Sequence, residues 1–304
     1  MTFSEKVKNE LASIENKKEC CWKAQAYGML LFGKNCSEEA ISLHTVNKKI
    51  ADLYADLLVS LTGCIASVTE VGQETKEEKA LYIVEIDDPD DRREVLRFFG
   101  CGTSTKHFEE SIIERDCCLH TFLRGAFLSC ASITDPNKEY HLEFVIGDAN
   151  LAALLCDLLN KIGLSSGSTV RKSSRIVYLK ESENIEDLLT FMGAVKSSLE
   201  LMNIKILKDV RNKVNRVTNC ETANIEKTVA ASSMQVKSIE WIMTHKGLDY
   251  LPEELKTVAQ LRLENPELSL SELCEISGLG LSRSGMNHRL KKIIEIADHL
   301  KIKM

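Results

Sequence analysis

A run of polar and basic residues near the C-terminus has the clearest potential chemistry in the sequence. Arg side chains can read guanine and Asn side chains can read adenine in the major groove of DNA, while Ser and Lys suit phosphate contacts. The run therefore predicts a DNA-contacting surface. Its histidine is not expected to bind a metal, because no other potential metal ligands are grouped with it. The predicted DNA-contacting residues are Ser282, Arg283, Ser284, Asn287, His288, Arg289, Lys291 and Lys292.

The pattern around this run is typical of a helix-turn-helix. A first helix is predicted to open with Pro252 in its first turn, and Ser269 with Glu272 forms a capping box that starts a short second helix. A Gly-bearing turn at residues 278–281 then leads to a long third helix with Ser282 at its N-cap. The alternative is a generic helical hairpin with a solvated basic face. The predicted inward-facing residues are Leu270, Leu273 and Ile276 in the second helix and Met286, Leu290, Ile293, Ile294 and Ala297 in the third.

A second polar stretch precedes the helix-turn-helix pattern. Its side chains would project from about one face of a helix, and Asn is a poor helix former, so the stretch favours contact with DNA or with the neighbouring domain. The alternative is a polar linker helix over residues 200–220 that is capped at Asn219. The residues of this possible second DNA contact are Arg211, Asn212, Asn215 and Arg216.

The distribution of charge agrees with a C-terminal DNA contact. The net charge of −6 argues against nucleic-acid binding only if it is spread evenly. Residues 1–199 hold 23 basic and 31 acidic residues, a net of −8, while residues 200–304 hold 16 and 14, a net of +2. One basic hairpin, at residues 171–175, departs from this trend, and we interpret it as a solvated turn rather than a phosphate contact.

Two adjacent cysteine pairs mark an internal repeat in the first two hundred residues. Residues 20–21 align with residues 117–118, an offset of 97, and Gly28 then aligns with Gly125. Alternation of apolar and polar residues predicts strand pairs, and helical spacing predicts the segments between them. Each half is therefore predicted to form a helix, a strand pair, a second helix, a second strand pair and a third helix. The predicted segments are an N-terminal helix at residues 1–19, repeat one at 20–100 and repeat two at 117–193.

The two aligned glycines predict how the repeats meet. Both fall inside apolar helices, where Gly costs about 1 kcal/mol relative to Ala. A close approach of the two helices would offset that cost, so we expect them to cross at the interface between the repeats. The predicted contact faces are Ala24, Gly28 and Phe32 on one helix and Thr121, Gly125 and Ser129 on the other.

The glycine-containing stretches, AYGMLLFG at 26–33 and LRGAFLSC at 123–130, resemble the LAGLIDADG motifs of monomeric homing endonucleases. The resemblance implies a duplicated αββαββα domain of the α+β class, with an acidic residue at the foot of each seam helix that holds a divalent metal. The matching positions are Gly33 and Cys130, which lack the oxygen ligands that Mg²⁺ requires. We therefore predict no catalytic residues, no metal and no other cofactor. The nearby acids, several residues past the helix ends, are Glu38, Glu39 and Asp135.

The cysteines bear on compartment and metal binding. There are eleven, an odd number, and no CxxC pair, so a zinc site with knuckle spacing is not expected. We expect reduced thiols that act as small buried hydrophobes. The N-terminus has no apolar signal segment, and no stretch is apolar enough to cross a membrane. The expected location is the cytoplasm, in association with the nucleoid.

Three further stretches are similar to the WhiA family of bacterial DNA-binding regulators. The most specific is DVRNKVNRVTNCETANIEKT at 209–228, followed by SRSGMNHRL at 282–290 and the opening FSEKVKNEL at 3–11. The resemblance covers essentially the whole chain. It implies a degenerate LAGLIDADG-like domain at residues 1–199, a linker helix at 200–220 and an all-α helix-turn-helix domain at 221–304.

The resemblance implies a sequence-specific DNA-binding protein without nuclease activity. Members of the family are transcriptional regulators that act in cell division, chromosome segregation and, in spore-formers, sporulation. The expected partners are double-stranded DNA at promoter or chromosomal sites, together with other regulators or RNA polymerase components, and no membrane. Two alternatives stay open: an active LAGLIDADG-type homing endonuclease, and a protein-interaction adaptor whose DNA affinity is incidental.

Overall fold

The chain forms two compact units, Met1–Lys208 and Asp209–Met304, in a computed structural model. The structure describes residues 1–72, 79–101 and 108–303. Within those ranges, no helix combines the length and the apolar character that a membrane crossing needs.

The first unit contains a short N-terminal helix and two copies of the predicted αββαββα repeat. The α+β class and the duplicated order of elements are therefore confirmed. The elements of the N-terminal helix and repeat one are α1 (Phe3–Ala12), α2 (Glu19–Leu31), β1 (Asn35–Cys36), β2 (Ile41–Thr45), α3 (Lys48–Thr62), β3 (Ser67–Val71), β4 (Leu81–Glu85) and α4 (Pro89–Phe98). Those of repeat two are α5 (Asp116–Cys130), β5 (Ala131–Ile133), β6 (Leu142–Ile146), α6 (Ala149–Lys161), β7 (Gly167–Arg171), β8 (Ser174–Leu179) and α7 (Ser182–Met192).

The N-terminal helix is shorter than the predicted span of residues 1–19, because the chain after Ala12 turns to contact the seam between the repeats. The Asn16 side chain donates to Gln25 Oε1 at 2.6 Å and accepts from Arg124 Nη1 at 3.1 Å. Its carbonyl also accepts from Trp22 Nε1 at 2.7 Å. These contacts hold residues 13–18 in an irregular segment that positions α2.

The two repeats carry four-stranded sheets of the same topology. Strand order is β1-β2-β4-β3 in the first sheet and β5-β6-β8-β7 in the second, and every pairing is antiparallel. In the central pair of each sheet, Leu43 lies opposite Val84 and Phe144 lies opposite Val177, and all four side chains are buried. Each sheet thus covers one side of a shared core with equivalent apolar positions.

The predicted crossing of α2 and α5 at their glycines is confirmed. A Cβ atom on Gly28 would lie 2.2 Å from the Phe122 carbonyl oxygen, and one on Gly125 would lie 2.2 Å from that of Gln25. Ser129 Oγ also donates across the seam to the Met29 carbonyl at 3.2 Å. The backbones therefore touch, and only glycine permits this approach at both positions.

The second unit is all-α, and its first helix begins in the first unit. Helix α8 (Val195–Lys246) runs without interruption, so the linker helix expected at residues 200–220 does not end at Asn219. No Gly or Pro occurs from residue 194 to 246, and glycines at positive φ, Gly193 and Gly247, flank the helix. The compact units divide at Lys208, not at residue 199 or 220. The remaining α-helices are α9 (Glu253–Glu264), α10 (Leu270–Ser277) and α11 (Arg283–Lys303), and a 3-10 helix at Leu248–Tyr250 precedes α9.

The core of the second unit lies among α8, α9, α10 and α11, and it differs from expectation in three details. Pro252 occupies the N-cap of α9 rather than its first turn. Ile276 is 51% exposed because it lies in the last turn of α10, where the chain turns away at Gly278. Leu270 and Ile294 are half-buried rather than central. The buried apolar residues are Ile239, Ile242, Leu251, Leu255, Val258, Ala259, Leu273, Met286, Leu290, Ile293 and Ala297.

Candidate nucleic-acid interface

The turn before α11 aims the start of that helix at solvent. Gly278 and Gly280 take positive φ values of 63° and 64°, a conformation that other residues rarely adopt. Ser282 Oγ then accepts from the Gly285 amide at 3.2 Å, and the Ser282 carbonyl accepts from the Met286 amide at 2.9 Å. The N-cap predicted at Ser282 is thus present, and it leaves the first turns of α11 at the surface.

The predicted DNA-contacting residues lie together on the outer face of α11. Met286, Leu290 and Ile293 anchor the opposite face in the core. Asn287 is half-buried beside the exposed set. The exposed residues of this set are Ser282, Arg283, Ser284, His288, Lys291 and Lys292.

Arg289 differs from the other predicted contacts because it has a partner within the protein. Its guanidinium lies 3.2 Å from the Glu254 carboxylate on α9, and its side chain is only 25% exposed. An Arg in such a pair links α11 to α9. The Arg289 side chain is therefore less available to an external partner than the exposed residues of this face.

A buried arginine that sequence reasoning missed fixes the connection between α9 and α10. Arg262 is 2% exposed, and its Nη1 donates to the carbonyls of Leu268 at 2.7 Å and Asn265 at 3.3 Å. Burial lowers the pKa of its guanidinium. The available signal was its register, because Arg262 continues the apolar stripe through Leu255 and Val258 at helical spacing.

The second predicted contact lies on α8. Its four residues are all exposed within a continuous helix. Two Arg and two Asn side chains are therefore available for hydrogen bonds to an external partner. These residues are Arg211, Asn212, Asn215 and Arg216.

Of the two positions that match the catalytic acids of homing endonucleases, one has no room for a side chain and the other carries a thiol. A Cβ on Gly33 would lie 2.9 Å from the Ser42 carbonyl oxygen, so even an alanine there requires a backbone shift. Cys130 donates its thiol to the Ala126 carbonyl at 3.4 Å, and burial raises its pKa to about 12. Hence neither position presents a carboxylate, and Gly33 could not accept one without rearrangement.

The acids near the ends of the seam helices and the basic hairpin at residues 171–175 differ in their contacts. Asp135 accepts hydrogen bonds from the Asn137 backbone and side chain, at 2.9 and 3.0 Å, and these bonds lower its pKa. Glu38 and Glu39 are exposed. In the hairpin, Arg171 lies 3.6 Å from the Glu143 carboxylate.

Four cysteines that we treated as separate thiols converge at the start of the seam helices. The sulfur atoms of Cys20, Cys21, Cys117 and Cys118 all lie within 4.8 Å of one another. In the described residues, no other group of three or more His, Cys, Asp or Glu side chains has ligand atoms this close together. The signal was in the sequence, because the cysteine pairs share the offset of the seam glycines and must meet near the same crossing.

Both units match protein families that have been described before. A family described as "WhiA C-terminal HTH domain" matches residues 214–297, and one described as "WhiA LAGLIDADG-like domain" matches residues 49–118 and 119–211. The chain is similar to proteins called "Probable cell division protein WhiA" from Ruminiclostridium cellulolyticum and Clostridium botulinum. The first is 38% identical, covering 99% of this chain and 98% of the relative, and the second is 40% identical, covering 99% of each.

A solved structure has the same architecture. The crystal structure of full-length DUF199/WhiA from Thermatoga maritima superposes with a TM-score of 0.58 at 27% sequence identity. The match covers 98% of this chain and 99% of that one. The correspondence therefore extends over both units and is not confined to the repeats.

Proposed function

This chain belongs to the WhiA family, and on that premise we propose that it is a non-enzymatic protein that recognises specific sequences in double-stranded DNA. The observation that carries the proposal is the outer face of α11, where exposed polar and basic side chains follow a capped helix start. The relatives are called probable cell division proteins, and this name points to a role in cell division. We further propose that this role is exerted at promoter or chromosomal sites of the nucleoid.

In the proposed complex, the first turns of α11 enter the major groove. Arg283 and Asn287 read base edges, since their side chains make the bidentate contacts that distinguish guanine and adenine. The surrounding hydroxyls, His288 and the two lysines bind phosphates and fix the register. Arg289, which is paired with Glu254, orients α11 on α9 and lies at the edge of the contact. The phosphate-binding residues are Ser282, Ser284, His288, Lys291 and Lys292.

The exposed stretch on α8 supplies a second contact in this proposal. Arg211 and Arg216 neutralise phosphates, and Asn212 and Asn215 donate hydrogen bonds to the backbone or to bases. Support comes from the exposure of all four side chains on one continuous helix. Transcriptional control of division, chromosome segregation and sporulation, with other regulators or RNA polymerase as partners, would follow from occupancy of such sites.

The repeat domain acts as a scaffold without nuclease activity. The blocked Gly33 position and the thiol at Cys130 support this part of the proposal. A supercoiled plasmid that carries a bound site is expected to stay intact with the protein and Mg²⁺ or Mn²⁺. Specific cleavage that is abolished by Glu38→Ala or Asp135→Ala would contradict it and would favour a homing endonuclease.

Selection from a pool of random duplexes tests sequence recognition. The full-length protein is expected to enrich a defined motif, and the double variant Arg283→Ala/Asn287→Ala is expected to lose that enrichment while still retaining DNA at low salt. A matched control, Lys301→Ala on the last turns of α11, should enrich the same motif as the wild type. Absence of any motif would favour an adaptor with incidental DNA affinity. Enrichment of the same motif by the double variant would instead contradict base recognition through Arg283 and Asn287.

A further inference from the structure

The four converging cysteines occupy equivalent places in the two repeats. Each pair supplies the second and third residues of a seam helix, α2 in one repeat and α5 in the other. The thiols of Cys21 and Cys118 donate across the seam in a reciprocal way, to the Cys117 carbonyl at 3.7 Å and to the Cys20 carbonyl at 3.6 Å. The cluster therefore straddles the interface between the repeats, with two sulfur atoms from each side.

The spacing of the sulfur atoms suits a single thiophilic ion. Tetrahedral zinc sites have Zn–S bonds of about 2.3 Å, which places their sulfur atoms about 3.8 Å apart. The Cys117 and Cys118 sulfur atoms are already 4.0 Å apart, and no pair in the cluster exceeds 4.8 Å. No sulfur–sulfur distance in the cluster therefore exceeds the tetrahedral value by more than about 1 Å.

Positive charge lies near the sulfur atoms and would stabilise metal-bound thiolates. Two helix N-termini converge on the sulfur atoms, and each carries a partial positive charge. The Arg115 guanidinium adds a full charge 3.9 Å from Cys20 Sγ. On binding, the ion would displace the thiol protons, as metal ions do on coordinating a thiol.

Access and enclosure also agree with a structural metal site. Cys21 and Cys118 are buried, whereas Cys20 and Cys117 are half-buried, so the cluster opens to solvent on one side. Four protein ligands would leave no position for water or substrate, as in zinc sites that stabilise folds rather than perform catalysis. An ion here would link the N-terminal ends of α2 and α5, next to their crossing at the glycines.

We propose that Cys20, Cys21, Cys117 and Cys118 bind one Zn²⁺ ion that joins the two repeats across the seam. All four ligands lie in the first unit, and the site is independent of the DNA-contacting face of α11. Failure of this proposal therefore leaves the proposed DNA recognition untouched, and the reverse also holds.

Cobalt substitution provides the test, with the full-length protein kept reduced by a phosphine that does not chelate metals. Co²⁺ is expected to give the intense visible bands of a tetrahedral site and a thiolate charge-transfer band whose intensity corresponds to four sulfur ligands. Zn²⁺ should abolish these bands, and metal analysis should then find one ion per chain. Bound Zn²⁺ should also raise the unfolding temperature.

Matched serine variants make the result specific. Cys20→Ser and Cys117→Ser, at the half-buried positions, are each expected to weaken Zn²⁺ binding by about 100-fold or more. Loss of a ligand should cost more than loss of a residue that only contacts a ligand, which typically weakens metal binding by about 10- to 100-fold. Cys220→Ser, at an exposed cysteine on α8, should bind as the wild type does. A wild type without the cobalt bands, bands that survive in both cluster variants, or a disulfide within the cluster under these reducing conditions would overturn the proposal. If a variant fails to fold, the sulfur count from the wild-type charge-transfer band still decides.

Discussion

Arg262 shows how one buried charge holds the connection between two helices of the C-terminal unit. Its guanidinium satisfies the carbonyls of Leu268 and Asn265, and Ser232 on α8 donates to the neighbouring Pro266 carbonyl. Arg suits this place because its planar head presents several donors in a fixed geometry. The loop that leads into α10, and through it the placement of α11, therefore depends on a residue outside the proposed DNA-contacting face.

Replacement of Arg262 by Ala is expected to destabilise the second unit by about 1–3 kcal/mol, because buried carbonyl oxygens lose their partners. Arg262→Lys should recover only part of this loss, since an ammonium cannot reproduce the fork of donors. Urea unfolding followed by circular dichroism measures both changes. Arg283→Ala removes the same charge from an exposed position of this unit and should shift stability by less than about 0.5 kcal/mol. Equal effects of Arg262→Ala and Arg283→Ala would refute a special role for the buried guanidinium.

For individual residues of α11, the sequence pattern predicted which side chains are buried but not the ion pair of Arg289. Helical periodicity separates inner from outer positions, and it correctly assigned Met286, Leu290 and Ile293 to the core. It could not foresee the pair between Arg289 and Glu254, because that contact depends on how α9 packs beside α11. Likewise, Ile276 follows the apolar spacing and yet faces solvent.

Among the contacts between secondary-structure elements, the seam between α2 and α5 is the one that the sequence predicted best. A glycine inside each apolar helix, at equivalent repeat positions, indicated a close crossing, and the backbones indeed touch there. The convergence of the cysteine pairs follows from the same offset, although the pairs lack the CxxC spacing that is typical of zinc sites. Ligands that a fold brings together from two repeats carry no local spacing signal.

Gly28→Ala is expected to destabilise the protein although Ala favours helices by about 1 kcal/mol over Gly. The new methyl group would lie 2.2 Å from the Phe122 carbonyl oxygen, so the two helix backbones must separate. Overpacking of this kind costs about 1–3 kcal/mol or more, which outweighs the gain in propensity. Chemical unfolding of the full-length chain measures the difference.

The control for this change is Gly147→Ala, where a Cβ meets nothing within 4 Å and the backbone does not require positive φ. It should leave the free energy of unfolding unchanged or slightly raised, because it lowers the entropy of the unfolded chain. A Gly28→Ala protein as stable as the Gly147→Ala protein would show that the helices tolerate a wider crossing.

At the scale of the whole molecule, the opposite charge balance of the two parts explains why the net charge alone was misleading. The acidic N-terminal region, at −8, carries the duplicated fold, while the C-terminal region, at +2, carries the exposed basic residues of α8 and α11. The order of elements followed from repeat alignment and periodicity. The extent of α8 did not, because no local stop signal at Asn219 outweighs a run of 53 residues, 194–246, without Gly or Pro.

The most direct test of sequence-specific recognition by α11 is the ratio of affinities for a selected site and a scrambled duplex at several salt concentrations. Arg283→Ala and Asn287→Ala should each reduce this ratio by about 5- to 150-fold, the equivalent of about 1–3 kcal/mol for a lost base contact. Lys291→Ala should instead weaken both affinities alike and lower the salt slope by about 0.9. A ratio near one for the wild type, or a ratio unchanged in both the Arg283 and the Asn287 variants, would contradict recognition through this helix.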